Sequence, residues 1–162
     1  MQLNNKVAIV TGAARGLGRA YAEALAAEGA AVVAADINDC HDTVTAIEAS
    51  GGRALAATLN VSDSDSCAAT AALAVDAFGR IDVLINNAAL YAGLQGARFE
   101  NLDERQWDQV MQVNIKGTWL TSRAVLVTCE RAVTAALLST SPRLQPYLVS
   151  PTDSITSRPR LP

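Results

Sequence analysis

Three glycines and one aspartate near the start of the chain have the residue types and spacing of a nucleotide-binding site. Gly12, Gly16 and Gly18 share one short segment, and Asp36 follows eighteen residues after the last of them. Glycine has no Cβ, so the turn can be tight and a pyrophosphate can approach backbone amides at the start of a helix. A carboxylate at this distance can accept hydrogen bonds from an adenosine ribose diol. The pattern predicts a dinucleotide site.

Two charged residues in this region bear on which dinucleotide binds. The Asp36 carboxylate favours NAD because it repels the 2′-phosphate of NADP. Arg15 acts in the opposite direction, since its guanidinium can pair with that phosphate. We expect NAD as the cofactor, with NADP as the less favoured alternative. A competing interpretation is that the glycines only form a turn and the aspartate only ends a strand, and the surrounding elements decide between the two.

Alternating strands and helices are predicted around these residues. A strand over residues 6–10 leads into the glycine segment, a helix over 19–27 leads out of it, and a buried strand over 31–36 ends on Asp36. The same patterns predict strands over 54–61 and 81–85 and helices over 42–50, over 64–78, from about 103 and over 113–127. This order predicts an α/β fold with a parallel sheet of about four strands and helices on both faces. The glycine segment therefore has a strand before it and a helix after it, which favours the dinucleotide interpretation.

The composition excludes several other function classes. The chain has 162 residues, of which 50% are hydrophobic, and a net charge of −3. These values predict a folded core and give no electrostatic reason to expect nucleic acid or an anionic membrane as a partner. No apolar run approaches the ~18 residues of a membrane helix, and the first residues lead into a strand rather than a signal peptide, so we expect a cytoplasmic protein. Three cysteines and one histidine, Cys40, Cys67, Cys129 and His41, lack the spacing of a metal site or disulfide framework.

Two further motifs follow the glycine segment. Over residues 3 to about 126, the chain contains three motifs in this order: Thr11-Gly12-x-x-x-Gly16-x-Gly18, Asn86-Asn87-Ala88-Ala89 and Val113-Asn114-Ile115. Together they resemble the short-chain dehydrogenase/reductase family in its common single-domain form. The resemblance implies a Rossmann-type, doubly wound parallel sheet and an NAD-dependent oxidoreductase that moves hydride between a secondary alcohol or ketone and the nicotinamide. It also implies a small-molecule substrate, no metal, and assembly into homo-oligomers.

The resemblance also implies roles for individual residues. The glycine loop would line the pyrophosphate, Asp36 would meet the adenosine ribose, Asn60 and Val61 would lie beside the adenine, and Asn87 with its neighbours would brace the central strand. Asn114 would be the asparagine of the catalytic tetrad, which holds a water in a proton relay. The cofactor-binding residues implied in this way are Gly12, Arg15, Gly16, Leu17, Gly18, Asp36, Ile37, Asn60, Val61, Asn87, Ala88 and Ala89. The family more often has aspartate at Asn60 and glycine at Ala89.

The last 36 residues differ from the rest of the chain. Every glycine lies at or before Gly117, and every proline at or after Pro142. The resemblance calls for a tyrosine as general acid/base, a lysine four residues later that lowers its pKa, and a serine thirteen residues earlier. Only two lysines are present, and Tyr147 is followed four residues later by Pro151. We therefore predict a cofactor-binding domain over 1–126 and a non-matching tail over 127–162, the end of a helix followed by irregular chain.

A shift of reading frame would account for this tail. In the shifted frame, the third base of each codon is joined to the first two bases of the next codon. Permitted codons over Ser139–Arg143 then encode Asn-x-Ser-Ser. In the same frame, the codons of Ile155 and Thr156 can encode tyrosine, and those of Pro159 and Arg160 can encode lysine. The serine-to-tyrosine interval is then thirteen and the tyrosine-to-lysine interval four. Three hypotheses stay open: an oxidoreductase lineage whose present chain is inactive, a non-catalytic NAD-binding module, and a frameshifted product without function.

Overall fold

The chain folds into a four-stranded parallel sheet flanked by helices. The computed structural model describes residues 2–91, 94 and 96–140, with the backbone alone over 131–140. The strands are β1 (Val7–Thr11), β2 (Ala31–Asp36), β3 (Arg53–Thr58) and β4 (Val83–Ile85). The helices are α1 (Gly16–Ala27), α2 (His41–Ala49), α3 (Ser64–Phe78), α4 (Glu104–Val110) and α5 (Thr118–Thr140), with a 3₁₀ turn at Phe99–Asn101 and a π-helical segment at Met111–Gly117.

The order of the strands places a switch point between β1 and β4, where open α/β sheets have a ligand-binding crevice. The strands lie in the order β3-β2-β1-β4, and every pairing is parallel. The chain therefore moves outward from β1 through β2 to β3 and then crosses to the other side of β1. Connections leave β1 and its neighbour β4 in opposite directions at this point, and open α/β sheets bind ligands at the carboxyl ends of the strands there. The predicted α/β class, with a doubly wound parallel sheet, is confirmed.

Side chains from the central strands pack into two apolar layers, one on each face of the sheet. Val10 and Val32 contribute to the layer against α1 and α2, which includes Ile47. Ile9 and Val33 contribute to the layer against α3 and α5, which includes Leu120. Because both faces are covered, the strands contain continuous apolar runs, the pattern that the sequence showed.

An aspartate joins the beginnings of two strands at the opposite edge of the sheet. The Asp82 carboxylate accepts hydrogen bonds from the Val7 N–H at 3.0 Å, the Lys6 ammonium at 3.0 Å and the Arg80 guanidinium at 2.6 and 2.8 Å. Burial of Asp82 raises its pKa, but the hydrogen bonds from Arg80, Val7 and Lys6 outweigh that effect and lower the pKa to about 2. This cluster fixes the start of β4 beside β1.

Several boundaries differ from those predicted: α1 begins at Gly16 and β4 begins at Val83. Strand β3 ends at Thr58, so Asn60 and Val61 lie in the turn after it. The helix predicted over 113–127 begins within the π-helical segment, and α5 then continues without interruption past residue 126 to Thr140. The predicted irregular chain over 141–162 lies outside the described residues. None of the described helices combines the length and the hydropathy of a membrane-spanning helix.

Candidate cofactor site

The glycine loop connects the carboxyl end of β1 to the first turn of α1. Gly12 and Gly16 have positive φ values of 69° and 58°, which glycine adopts without steric cost. A Cβ on Gly12 would lie 2.8 Å from Asn87 Nδ2, and a Cβ on Gly18 would collide with the Gly12 carbonyl oxygen. Gly12 and Gly18 therefore allow the loop, α1 and the segment after β4 to pack closely.

Gly16 has different surroundings. Apart from its chain neighbours and the backbone of its own helix, no described heavy atom lies within 4 Å of the position that a Gly16 Cβ would occupy. Arg15, the N-cap residue of α1, makes no side-chain hydrogen bond to the first turn, and that turn contains no acidic residue. The first-turn amides therefore have no capping side chain, an arrangement that favours an anion.

Asp36 ends β2 next to this loop. Its Oδ2 accepts a hydrogen bond from the Ala14 N–H at 3.1 Å. Its Oδ1 accepts from the Asn38 N–H at 2.9 Å and from Asn38 Nδ2 at 3.0 Å. The carboxylate is thus held beside the loop that leads into the uncapped first turn of α1.

Two large apolar side chains are exposed at the same edge. Leu17 in the first turn of α1 is 68% exposed, and Ile37 directly after Asp36 is 67% exposed. Core packing does not explain either side chain, and both stand next to groups that suit a nucleotide. Arg15 is also exposed here. A flat, partly apolar ligand such as a nucleotide base would cover such side chains.

The segment after β4 forms the other wall of the crevice. Asn87 Nδ2 donates to the carbonyl oxygens of Thr11 at 3.0 Å and of Gly12 at 3.2 Å. In return, Thr11 Oγ1 accepts from the N–H groups of Asn87 and Ala88, both at 3.0 Å, and donates to the Ile85 carbonyl at 3.3 Å. This network joins the ends of β1 and β4. Ala89 follows it at the surface.

Removing the Asn87 amide should loosen this junction. The Asn87→Ala variant loses both donations to the β1 end, and we expect it to lower the free energy of unfolding by about 1–3 kcal/mol. Urea unfolding followed by circular dichroism measures the change. Asn101→Ala, at an exposed position in the 3₁₀ turn, is the control. Equal stability of the two variants would contradict a joining role for Asn87.

The two residues predicted beside the adenine, Asn60 and Val61, have different surroundings in the structure. Asn60 is exposed, and its Oδ1 accepts from the Ser62 N–H at 3.0 Å. Val61 is 8% exposed and packs under Gly117, where a Cβ would lie 2.8 Å from Val61 Cγ2. A hydrogen bond from the Leu59 N–H to the Asp36 carbonyl at 2.8 Å places this turn next to the end of β2.

Asn114 lies in the π-helical segment and contacts the chain after β4. Its Oδ1 accepts from the Leu90 N–H at 2.8 Å, and its Nδ2 donates to the Leu90 carbonyl at 3.2 Å. π-Helical turns are rare and occur often at functional sites. The sequence did not predict this segment or the contacts of Asn38 and Leu90, because apolar periodicity does not report one extra residue in a helical turn.

Comparison with known proteins identifies the family of this chain. The sequence profile of the short chain dehydrogenases matches residues 6–141. The chain belongs to the short-chain dehydrogenase family. Galactitol 2-dehydrogenase from Agrobacterium fabrum is 42% identical over 125 residues, which cover 77% of this chain and 47% of that protein. The peroxisomal hydratase-dehydrogenase-epimerase of Neurospora crassa is 40% identical over 124 residues, 76% of this chain and 13% of that protein.

Solved structures of short-chain dehydrogenases have the same architecture. A short chain dehydrogenase from Mycobacterium avium superposes with a TM-score of 0.76 at 36% identity, covering 84% of this chain and 49% of that one. A metagenomic short-chain oxidoreductase in complex with NADP superposes with a TM-score of 0.72 at 36% identity, covering 84% and 60%. This short-chain dehydrogenase therefore spans about half the length of most of these relatives.

The described residues do not contain the Tyr-x-x-x-Lys pair that the family resemblance calls for, since neither Lys6 nor Lys116 follows a tyrosine by four residues. Lys6 lies at the opposite edge of the sheet, where it pairs with Asp82. Tyr91, in the loop after β4, is 87% exposed. Tyr147 lies outside the described residues. Nor do the described residues contain a group of three or more His, Cys, Asp or Glu side chains that could hold a metal ion.

Proposed function

We propose that this short-chain dehydrogenase chain binds NAD in the crevice between the glycine loop and the end of β2, and that it does not turn over a substrate as it stands. The observation that carries the proposal is the Asp36 carboxylate, held by the Ala14 N–H beside the uncapped first turn of α1. In this position it accepts the ribose diol and repels a 2′-phosphate. A metagenomic relative binds NADP, and exposed Arg15 is the feature that would favour that alternative here.

The proposed roles follow the predicted residues. The amides around Gly16 bind the pyrophosphate, with Arg15 and Leu17 at its edge, and Asp36 binds the ribose. Ile37 and the turn at Asn60 and Val61 flank the adenine. On the other wall, Asn87, Ala88 and Ala89 line the crevice that leads toward Asn114. When bound, the nicotinamide supplies the hydride acceptor or donor.

Turnover would require a group that moves the substrate proton, and this requirement is the reason for proposing binding alone. In the family, that substrate is a secondary alcohol or ketone, and its proton passes through a tyrosine paired with a lysine. The chain has no Tyr-x-x-x-Lys sequence. Asn114 alone offers an amide, which neither donates nor accepts a proton in catalysis near neutral pH. A cytoplasmic location, a homo-oligomeric state and the absence of nucleic acid and membrane partners stay predictions.

Cofactor binding can be measured directly. Fluorescence transfer from Trp107 and Trp119, both about half exposed, reports NADH and NADPH binding to the purified chain. We expect NADH to bind at least tenfold more tightly than NADPH. Incubation with NAD and a panel of secondary alcohols should produce no NADH. Equal affinities would contradict the assignment of Asp36, and alcohol-dependent NADH production would contradict the absence of turnover.

Asp36 itself offers a sharper test. Asp36→Asn keeps the shape of the side chain and removes its charge, so we expect NADH affinity to fall about tenfold or more, the range for a hydrogen bond to a charged group. NADPH affinity should stay constant or rise because the repulsion is removed. Asp39→Asn is the matched control, since Asp39 lies in the same turn and accepts from the His41 N–H at 2.9 Å. A parallel fall for both nucleotides would indicate that Asp36 acts only through the loop.

A second proposal concerns the coding sequence. The shifted codons restore serine, tyrosine and lysine at intervals of thirteen and four. This joint spacing supports a frameshift near codon 127 in the gene of a full-length dehydrogenase. Sequencing the coding DNA tests this directly. Codons that do not permit the serine, tyrosine and lysine would rule it out.

A further inference from the structure

The hydrogen bonds of Asp36 leave little capacity for a ligand. Its Oδ1 accepts two hydrogen bonds from Asn38, one from the backbone N–H and one from Nδ2, and its Oδ2 accepts one from the Ala14 N–H. An ionised carboxylate offers about four lone-pair positions. Three are therefore in use, and one position on Oδ2 is left.

A ribose diol presents two hydroxyl donors, so full engagement with Asp36 requires one present donor to leave. The Ala14 N–H belongs to the glycine loop, and the Asn38 N–H to the turn after β2, so either could leave only with movement of the backbone. The Asn38 side-chain amide is exposed and stands on rotatable bonds. Water can replace Asp36 as its partner, which makes it the donor that leaves at the lowest cost.

We propose that Asn38 is a positioning residue that competes with the adenosine ribose for Asp36. Its Nδ2 holds Oδ1 before the diol binds and turns to solvent when the diol takes that position. The proposal rests on the proposed dinucleotide function. It adds that the residue two places after the ribose-binding aspartate sets how much of that carboxylate the ribose can use.

Two nucleotides that differ only in the diol test this competition. Adenosine diphosphate has both hydroxyls, and 2′,3′-dideoxyadenosine diphosphate has neither. We expect Asn38→Ala to bind adenosine diphosphate about three- to tenfold more tightly than the unchanged protein, the range for one net hydrogen bond, and the dideoxy form with unchanged affinity. Isothermal titration calorimetry measures both dissociation constants. Asp39→Asn serves as the control for a general change in the turn.

The opposite results would overturn the proposal. Weaker binding of adenosine diphosphate by Asn38→Ala would show that Asn38 assists the diol, and an equal change for both nucleotides would show an effect outside the diol. A measurement without nucleotide separates this failure from that of the proposed function. The Asn38 side-chain amide signals in ¹H–¹⁵N NMR spectra should shift in Asp36→Ala, and unmoved signals would refute the pairing. If they shift but no variant binds a nucleotide, the pairing stands while the proposed function and the competition both fail.

Discussion

Replacing Gly18 with alanine should destabilise the protein by about 3 kcal/mol, the upper end of the range for overpacking a tightly packed site. The new Cβ would meet the Gly12 carbonyl oxygen, and it would also lie 2.6 Å from Asn87 Nδ2. The nearest of these atoms belongs to the backbone, which cannot move aside as the end of a flexible side chain can. Relief therefore requires α1 to shift away from β1, which breaks the Asn87 hydrogen bonds to the β1 end.

Gly16→Ala is the matched control for this variant. Its Cβ enters open space, and its cost comes only from the φ of 58°, about 1–2 kcal/mol. Urea unfolding compares the two stabilities. For variants that remain folded, NADH titration should show a larger loss of affinity in Gly16→Ala than in Gly18→Ala, because a Cβ on Gly16 would enter the space proposed for the pyrophosphate. A larger loss of stability in Gly16→Ala than in Gly18→Ala would contradict the division of roles between these glycines.

Replacing Asp82 with asparagine should lower the free energy of unfolding at pH 7 and make it depend less on pH below pH 4. The pKa of Asp82 is lowered from 3.8 to about 2 in the folded protein, so its ionised form contributes stability above pH 4 that is lost as the pH falls through 2. Lys6 and Arg80 are 44% and 55% exposed, so solvent screens part of this contribution and we expect about 1 kcal/mol from it. In Asp82→Asn the Val7 N–H can donate only to a neutral amide oxygen instead of a carboxylate. We expect this weaker hydrogen bond to lower the free energy of unfolding by about a further 1 kcal/mol at pH 7.

Thermal unfolding between pH 7 and pH 2.5 measures this effect. The unchanged protein should lose stability more steeply below pH 4 than Asp82→Asn does. Asp76→Asn, at an exposed position on α3, is the control and should change stability by less than about 0.5 kcal/mol. If Asp82→Asn and the unchanged protein have the same slope below pH 4, the pairing of Asp82 with its donors does not form as described.

The alternation of strands and helices could be predicted because its signals are local. Both faces of β1 and β2 are buried, so each reads as an apolar run, and Gly29 and Gly79 mark the ends of helices with positive φ values. The π-helical segment at Met111–Gly117 was predicted as α-helix because no local signal marks it. What stabilises it is distant in sequence: Asn114 holds Leu90, and Gly117 packs on Val61.

The glycine motif combines, within a single loop, a role that its spacing predicts and a role that depends on contacts distant in sequence. Its spacing predicts a nucleotide loop but assigns all three glycines to the ligand. In the structure, Gly12 and Gly18 make room for Asn87, which is more than 65 residues away in sequence, and Gly16 alone faces open space. Sequence spacing does not distinguish these roles, because a missing Cβ serves a ligand and a neighbouring side chain equally well.

Residues close together in the chain were enough to predict the α/β class, the dinucleotide motif with its acidic partner and the lack of a Tyr-x-x-x-Lys pair. The fold was needed to show that β4 crosses to the other side of β1 and that Asn87 and Asp82 join the two strands at opposite ends. The fold also shows that Asp36 already accepts hydrogen bonds from three donors. These contacts connect residues distant in sequence or depend on side-chain rotation, so no local pattern records them.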